Sequence, residues 1–172
     1  MLNRLNKVFD TKELRIIDIK DDKDIIRNYN VIILDDRYVA GASLGFNQNS
    51  CESRASILLN SDDKGLIPIV GEILKNKSEA GFMPDIITFG FSQRASVTVS
   101  SFSREDVIIC VQRGFRALTG KRVGEQEFPV RLGEIASDAE IVKAANLLPA
   151  VTAALCIGIE TERINQLLFY GE

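Results

Sequence analysis

Residues 57–66 read ILLNSDDKGL, and this stretch decides what kind of fold the chain can form. A run of apolar residues ends at Asn60, and two carboxylates, Asp62 and Asp63, follow within three positions. Beyond them, apolar residues recur at three- and four-residue spacing, which is the pattern of a helix with one buried face. The stretch therefore predicts a buried strand ending near Asn60 and a helix over about 64–77, with Asp62 or Asp63 as its N-cap.

Segments rich in β-branched residues predict further strands on both sides of this unit. Upstream, NYNVIILDDRYVAGASL (28–44) predicts a hairpin that turns at Asp35 and Asp36. Downstream, DIITFGF (85–91) predicts a short buried strand, and three β-rich segments between residues 95 and 132 predict an antiparallel meander. The strand–helix–strand order around residues 57–91 predicts parallel pairing, whereas the hairpin and the meander are antiparallel, so the sequence predicts a mixed sheet.

The last third of the chain changes to a helical pattern. SDAEIVKAANLLPAVTAALCIGI (137–159) is rich in Ala and Leu, and ETERINQLLFYG (160–171) predicts a shorter helix after a Gly-Ile break. Pro149 is expected to kink the longer helix or split it, because proline lacks the backbone N–H that a helix interior needs. At 172 residues, the whole pattern predicts a single three-layer-like α/β domain over residues 1–172.

Composition disfavours several classes of function. The formal charge of -3, with acids and bases interspersed, leaves no basic footprint for nucleic acid. No segment approaches the roughly 18 apolar residues of a membrane span, and the N-terminus lacks the pattern of a signal peptide, so a cytoplasmic location is expected. Histidine is absent, which removes Ser-His-Asp chemistry and His-ligated metal sites. An enzyme is the less favoured interpretation, and no cofactor is indicated.

The segment GFRALTGKR (114–122) resembles the phosphate-loop motif, but it departs from that motif in two ways. Five residues separate Gly114 from Gly120 instead of four, and Arg122 stands where a Ser or Thr binds magnesium. It also joins two predicted strands, whereas a phosphate loop joins a strand to a helix N-terminus. The segment is therefore not interpreted as a nucleotide site.

Three motifs occur in a fixed order: LLNSDDKGL (58–66), ITFGFSQRASVTVSSF (87–102) and NLLPAVTAALCIGIETERI (146–164). This order resembles the later half of the central domain of Mur ligases, the ATP-dependent amide ligases of peptidoglycan precursor synthesis. In that family a strand ends in Asn-Ala-Asp-Asp, the next ends in Thr-Phe-Gly, and a His-Asn-x-x-Asn-Ala-Leu-Ala-Ala helix runs into Leu-Gly-Ile. The resemblance covers about residues 55–169, and it implies that Asn146 matches an asparagine that lies near the adenine.

The same resemblance implies that ligase activity is missing. The family's phosphate loop, catalytic Glu, magnesium-binding His and modified Lys precede its Asn-Ala-Asp-Asp strand, and residues 1–54 contain no match to them. The His-Asn pair of the helix becomes Val142-Lys143, and the family's third domain has no counterpart before Glu172. Without these residues the chain has no means to orient a transferring phosphoryl group. A divergent part (1–54) and a Mur-like part (55–172) are therefore expected to form a non-catalytic subunit, regulator or binding module.

Two hypotheses follow from these patterns. In the first, the chain works against a protein partner or a second copy of itself, and Asp62 and Asp63 have structural roles. In the second, it is a small carboxylate-based enzyme or ligand-binding domain unrelated to Mur ligases. Its candidate side chains lie at strand ends, where open α/β sheets bind ligands. They are Asp35, Asp36, Asn60, Asp62 and Asp63.

Overall fold

The computed structural model describes residues 14–16, 30–35, 38–42, 55–78, 84–103, 105–131 and 140–169, and every structural statement below concerns these residues. The ten strands are β1 (Leu14–Ile16), β2 (Val31–Asp35), β3 (Tyr38–Ala42), β4 (Ser56–Asn60), β5 (Asp85–Phe89), β6 (Val97–Phe102), β7 (Asp106–Val111), β8 (Phe115–Arg116), β9 (Arg122–Val123) and β10 (Gln126–Arg131). A 3-10 turn, Lys64–Leu66, leads into helix α1 (Ile67–Ser78), and α2 (Glu140–Cys156) and α3 (Thr161–Phe169) follow later.

Eight of these strands form one mixed sheet in the order β1-β3-β2-β4-β5-β6-β7-β10. β2, β4 and β5 are parallel neighbours, which agrees with their nearly continuous apolar sequences, because parallel strands are buried on both faces. β2 and β3 form the antiparallel hairpin predicted from the sequence. β6, β7 and β10 form the predicted antiparallel meander. The predicted mixed sheet is thus confirmed.

Helices lie on both faces of this sheet and give it three layers. Helix α1 and the turn before it pack on one face in a cluster formed by Ile32, Leu34, Ile57, Leu66, Val70 and Ile73. Helices α2 and α3 pack on the other face in a larger cluster that includes Val31, Ile33, Leu58, Ile87, Phe89, Leu147, Val151 and Ile164. Alternate residues of β2 and β4 enter opposite clusters because successive side chains of a strand point to opposite faces. The central strands therefore hold both helix layers.

The meander buries only one of its faces. Val107, Ile109 and Val111 point into the larger cluster, while the alternating residues of β7 are half-buried. On that second face Cys110 lies beside Glu127 of β10. Burial, reinforced by the Glu127 carboxylate, raises the pKa of the Cys110 thiol. This alternation of apolar and more polar positions is typical of an antiparallel sheet with one solvated face.

Helix α2 continues through Pro149 without interruption, so of the two expected outcomes, a kink or a split, the split does not occur. Leu147, Leu148, Ala150 and Val151 around it are all buried. A proline in a helix interior costs about 3 kcal/mol, and the burial of two or more large apolar side chains offsets a cost of that size. Tertiary packing thus outweighs the local preference here.

Gly158 ends α2 in a left-handed conformation with φ of 88°. The Gly158 N–H donates to the Leu155 carbonyl, and the Ile159 N–H donates to the Ala154 carbonyl, which is the hydrogen-bond pattern of a Schellman motif. A Cβ atom at Gly158 would lie 2.6 Å from Thr119 Oγ1, in the loop between β8 and β9. Glycine therefore allows both the helix end and the close approach of this loop.

Two glycine-to-alanine substitutions should change stability in opposite directions. Gly158→Ala should lower the free energy of unfolding by about 1–2 kcal/mol or more, because it adds left-handed strain and a steric contact with Thr119. Gly71→Ala in α1 should raise it by about 1 kcal/mol, because its Cβ would meet nothing within 4 Å and alanine favours a helix. Urea unfolding followed by circular dichroism measures both. Equal effects of the two substitutions would contradict this account of the α2 terminus.

Candidate functional site

The strand ends that carry the sequence-predicted polar residues lie along one edge of the sheet. We call it the carboxyl edge, formed by the C-terminal ends of β2, β4 and β5 and the residues that directly follow them. Asp35 ends β2 and Asn60 ends β4, its parallel neighbour. Asn60 Nδ2 donates to Asp35 Oδ2 over 3.4 Å, and Asn60 Oδ1 accepts the Asp62 N–H over 3.0 Å. Asp36 lies outside the described residues.

Asp62 connects the end of β4 to the loop that follows β5. Its two carboxylate oxygens accept the backbone N–H groups of Phe91 and Ser92, over 2.7 and 2.9 Å. Hydrogen bonds from N–H groups to a carboxylate are about twice as strong as neutral ones. Beside them, both the N–H and the hydroxyl of Ser61 donate to the Phe89 carbonyl. We call this arrangement the Asp62 clamp.

Gly90 is the residue that lets the clamp close. It has φ of 145°, a conformation that side chains with a Cβ rarely adopt. A Cβ atom there would lie 2.7 Å from Asp62 Oδ2 and 2.8 Å from Ser61 Oγ. The Thr-Phe-Gly sequence after β5 therefore has a direct structural explanation, because only glycine gives the carboxylate access to the two N–H groups beyond it.

Asp63 caps the helical segment that begins with Lys64–Leu66. Its Oδ1 accepts the Gly65 N–H over 2.7 Å, and its backbone is extended, as an N-cap requires. The predicted cap is confirmed and is Asp63 rather than Asp62. The two adjacent carboxylates thus have separate structural roles, one within its own turn and one across the sheet edge.

An exposed aromatic pair lies beside the Asp62 clamp. The rings of Phe91 and Phe102 have centroids 6.2 Å apart and a 36° angle between their planes, a distance usual for interacting aromatic rings. Both side chains remain exposed, at 39% and 43%. Ile67, the first residue of α1, is 64% exposed. Within the described ranges, the large hydrophobic side chains that are exposed are Phe91, Phe102, Ile67 and Ile86.

Sequence reasoning missed this aromatic pair. Phe91 and Phe102 stand next to predicted strands, where a phenylalanine is usually buried, and nothing in the pattern distinguishes them from buried Phe89. The exposure follows from the Asp62 clamp, which fixes the backbone of Phe91 beyond the end of β5. The exposure of Phe91 therefore depends on a contact with a residue distant in sequence, which local patterns do not show.

The remaining sequence candidates lie elsewhere. Asn146 belongs to the second turn of α2, but the placement of its side chain lies outside what the structure describes, so its proximity to a nucleotide stays a prediction. The segment 114–122 forms the β8–β9 pair and its turn, with Gly120 at φ of 86°. It joins two strands, as the sequence predicted, and provides no helix N-terminus for a phosphate.

A shallow cavity of about 340 Å³ lies between the β8–β9 turn and the turn from α2 to α3. The Lys121 ammonium donates to Glu160 Oε1 across this region over 2.7 Å. That hydrogen bond and the positive charge of Lys121 lower the pKa of Glu160. Both side chains are more than half exposed, so the ion pair contributes little to stability.

At the carboxyl edge, Asn60 Oδ1, Asp63 Oδ1 and the two oxygens of Asp62 each accept one backbone N–H. The described part of the chain contains no group of three or more His, Cys, Asp or Glu side chains placed to hold a metal ion.

None of the described helices combines the length and the apolar character needed to cross a membrane. No protein-family model matches the chain, and no curated protein matches its sequence. The geometry of the edge is thus the main basis for a functional proposal.

The Asp62 clamp predicts a specific effect of substitution. Asp62→Ala should lower the free energy of unfolding by about 1–2 kcal/mol, because two charge-assisted hydrogen bonds are lost while water still reaches the freed N–H groups. Hydrogen exchange at Phe91 and Ser92 should accelerate by tenfold or more. Asp63→Asn is the matched control and should change stability by only a few tenths of a kcal/mol, because asparagine caps a helix as well as aspartate does. Unchanged exchange at both amides in Asp62→Ala would contradict the clamp.

Proposed function

We propose that this chain is a non-catalytic Mur-ligase-like domain that acts as a protein-binding subunit or regulator through its carboxyl edge. The order of its elements supports the family part of this proposal. β4 leads through Asp62 and Asp63 into α1, its parallel neighbour β5 ends at Phe89-Gly90, and α2 leads into Gly158 and α3. These are the elements and connections that the three motifs require. A link to cell-wall precursor or amide-ligase chemistry, and a cytoplasmic location, belong to the same proposal.

The Asp62 clamp is the observation that carries the non-catalytic part. In a site that handles phosphates or a metal ion, a carboxylate at a strand end must keep oxygen atoms available for the ligand or ion. Each oxygen of Asp62 instead accepts one backbone N–H, from Phe91 or from Ser92, and Asp63 Oδ1 caps its own turn. The acidic motif thus shapes the edge of the sheet, and these structural roles support the non-catalytic proposal.

The aromatic pair carries the binding part. Exposed apolar residues scattered singly over a surface are ordinary, whereas neighbouring exposed aromatics mark surfaces that bind other proteins. Phe91 and Phe102 contact each other, and both side chains are exposed. Because the clamp holds the Phe91 backbone in place, less conformational entropy is lost when a partner covers the ring. We propose that a protein partner or a second copy of the chain covers this edge.

A double variant tests the binding proposal. Phe91→Ser combined with Phe102→Ser should abolish association by removing the apolar contact while the core remains intact. Ile86→Ser is the matched control, because Ile86 is 42% exposed and also apolar but points to the α1 face away from the edge. Sedimentation equilibrium over a wide concentration range measures self-association. Quantitative affinity capture compares the partner retained by the three proteins.

Association that weakens at least tenfold in the double variant and persists in Ile86→Ser supports the proposal. A wild-type chain that remains monomeric at every concentration and retains no partner contradicts it. Equal retention by the double variant and the wild type contradicts the assignment of the aromatic pair, even when a partner exists.

The second candidate function, a ligand-binding or carboxylate-based site, is favoured by one observation. Asp35 is a carboxylate only 3% exposed at the end of a parallel strand, in contact with Asn60 of the neighbouring strand. Buried carboxylates at strand ends of open α/β sheets are frequent in ligand sites. This candidate requires that a small molecule or an ion stabilise the folded chain.

Thermal shift measurements separate the two candidates, because any ligand that prefers the folded state raises its apparent stability. We expect no shift with ATP, UDP-sugars or divalent cations at millimolar concentration. A reproducible rise in melting temperature that disappears in Asp35→Asn would favour the second candidate. Magnesium-dependent ATP turnover that is lost in Lys121→Ala would contradict the non-catalytic proposal as a whole.

A further inference from the structure

β10 is the last strand in the sheet order, and one of its sides pairs with β7. On its other side, the Asn165 side chain of α3 bonds the backbone of β10. Asn165 Oδ1 accepts the Arg131 N–H over 2.9 Å. Asn165 Nδ2 donates to the Pro129 carbonyl over 3.0 Å. One amide group thus meets a backbone donor and a backbone acceptor that are two residues apart on the same strand.

These two bonds reproduce the pairing of a further strand. In a parallel ladder, a residue donates its N–H to one residue of the neighbouring strand and accepts an N–H from the residue two positions later. The Asn165 amide makes that pair of contacts with Pro129 and Arg131, opposite Val130. The side chain is therefore a substitute for one residue of an added strand.

The sequence of β10 removes a second pairing position. Pro129 and Arg131 bond Asn165 and so direct these backbone groups away from β7. Alternate residues of a strand direct their backbone groups to the same side, and the β10–β7 register has no bulge, so Glu127 also directs its N–H and carbonyl away from β7. At position 129 the outward N–H is absent because the residue is proline. Exposed edge strands invite pairing with another chain, and proline and charged residues such as Glu127 are common means of preventing it.

Helix α3 is anchored well enough to keep the amide in place. Ile164, next to Asn165, is fully buried, and Leu168 one turn later is only 3% exposed. Both belong to the larger apolar cluster under β10 and α2. The position of Asn165 is therefore fixed by the core and does not depend on its own two hydrogen bonds.

We infer that Asn165 and Pro129 form an edge lock that prevents a second copy of this chain from adding a strand to β10. The edge lock restricts self-association to other surfaces, of which the carboxyl edge is the one proposed above. This inference does not depend on that proposal, because it concerns the outer strand β10 and not the central strands β2, β4 and β5, and a different kind of contact.

The test uses the full chain with Phe91→Ser and Phe102→Ser as the background, so that association through the aromatic pair does not contribute. Asn165→Leu removes both hydrogen bonds and keeps the branching of the side chain, and Pro129→Thr restores an outward N–H and favours a strand. Gln166→Leu is the matched control, because Gln166 is an exposed residue of the same helix that makes the same polar-to-apolar change. Circular dichroism verifies folding, and Asn165→Asp replaces Asn165→Leu if the latter does not fold, since a carboxylate cannot donate to the Pro129 carbonyl.

We expect the variant that combines Pro129→Thr with the Asn165 change to form dimers at concentrations at least tenfold lower than the Gln166→Leu control in sedimentation equilibrium. Hydrogen exchange at Glu127, whose N–H points outward from β10, should slow on dimerisation. A folded combined variant that remains as monomeric as the control overturns the inference. Dimerisation without added protection at Glu127 overturns it as well, since the contact would then lie elsewhere.

Discussion

The Asp62 clamp is the interaction on which the arrangement of the carboxyl edge depends. A single carboxylate at the end of β4 accepts two N–H groups from the loop after β5 and so fixes how the two central strands end relative to each other. The loop cannot form helix or strand hydrogen bonds at these positions, and its N–H groups need acceptors. Gly90 is a consequence of this need, because a Cβ atom there would occupy the space of the carboxylate.

The clamp also determines which part of the surface is available for binding. By fixing Phe91 beyond the end of β5, it places this ring against Phe102 and leaves both partly in water. The hydrogen bonds of the Asp62 carboxylate therefore stabilise a loop that carries an exposed apolar ring. In the proposed binding function, Asp62 acts indirectly, because it orders the loop that carries the Phe91 ring.

Local patterns predicted the elements, and long-range contacts decided the site. The β2–β3 hairpin, the meander and the Asp63 cap depend on residues close in sequence, and each followed from spacing and turn chemistry. The partners of Asp62 lie 29 and 30 residues away and those of Asn165 lie 34 and 36 away, and one sequence provides no signal that joins them. The split at Pro149 does not occur for the same reason, because burial against distant strands outweighs a local preference.

The carboxyl edge and the β10 edge are treated in opposite ways by the same chain. At β10, an amide and a proline occupy or remove the backbone groups that another strand would use. At the carboxyl edge, hydrogen bonds satisfy the backbone equally well, yet the apolar rings beside them stay uncovered. Strand pairing through backbone groups is weakly selective for sequence, whereas burial of defined side chains is selective. Asn165 and Pro129 obstruct the first kind of contact at β10, whereas the exposed rings provide the second kind in the proposed binding function.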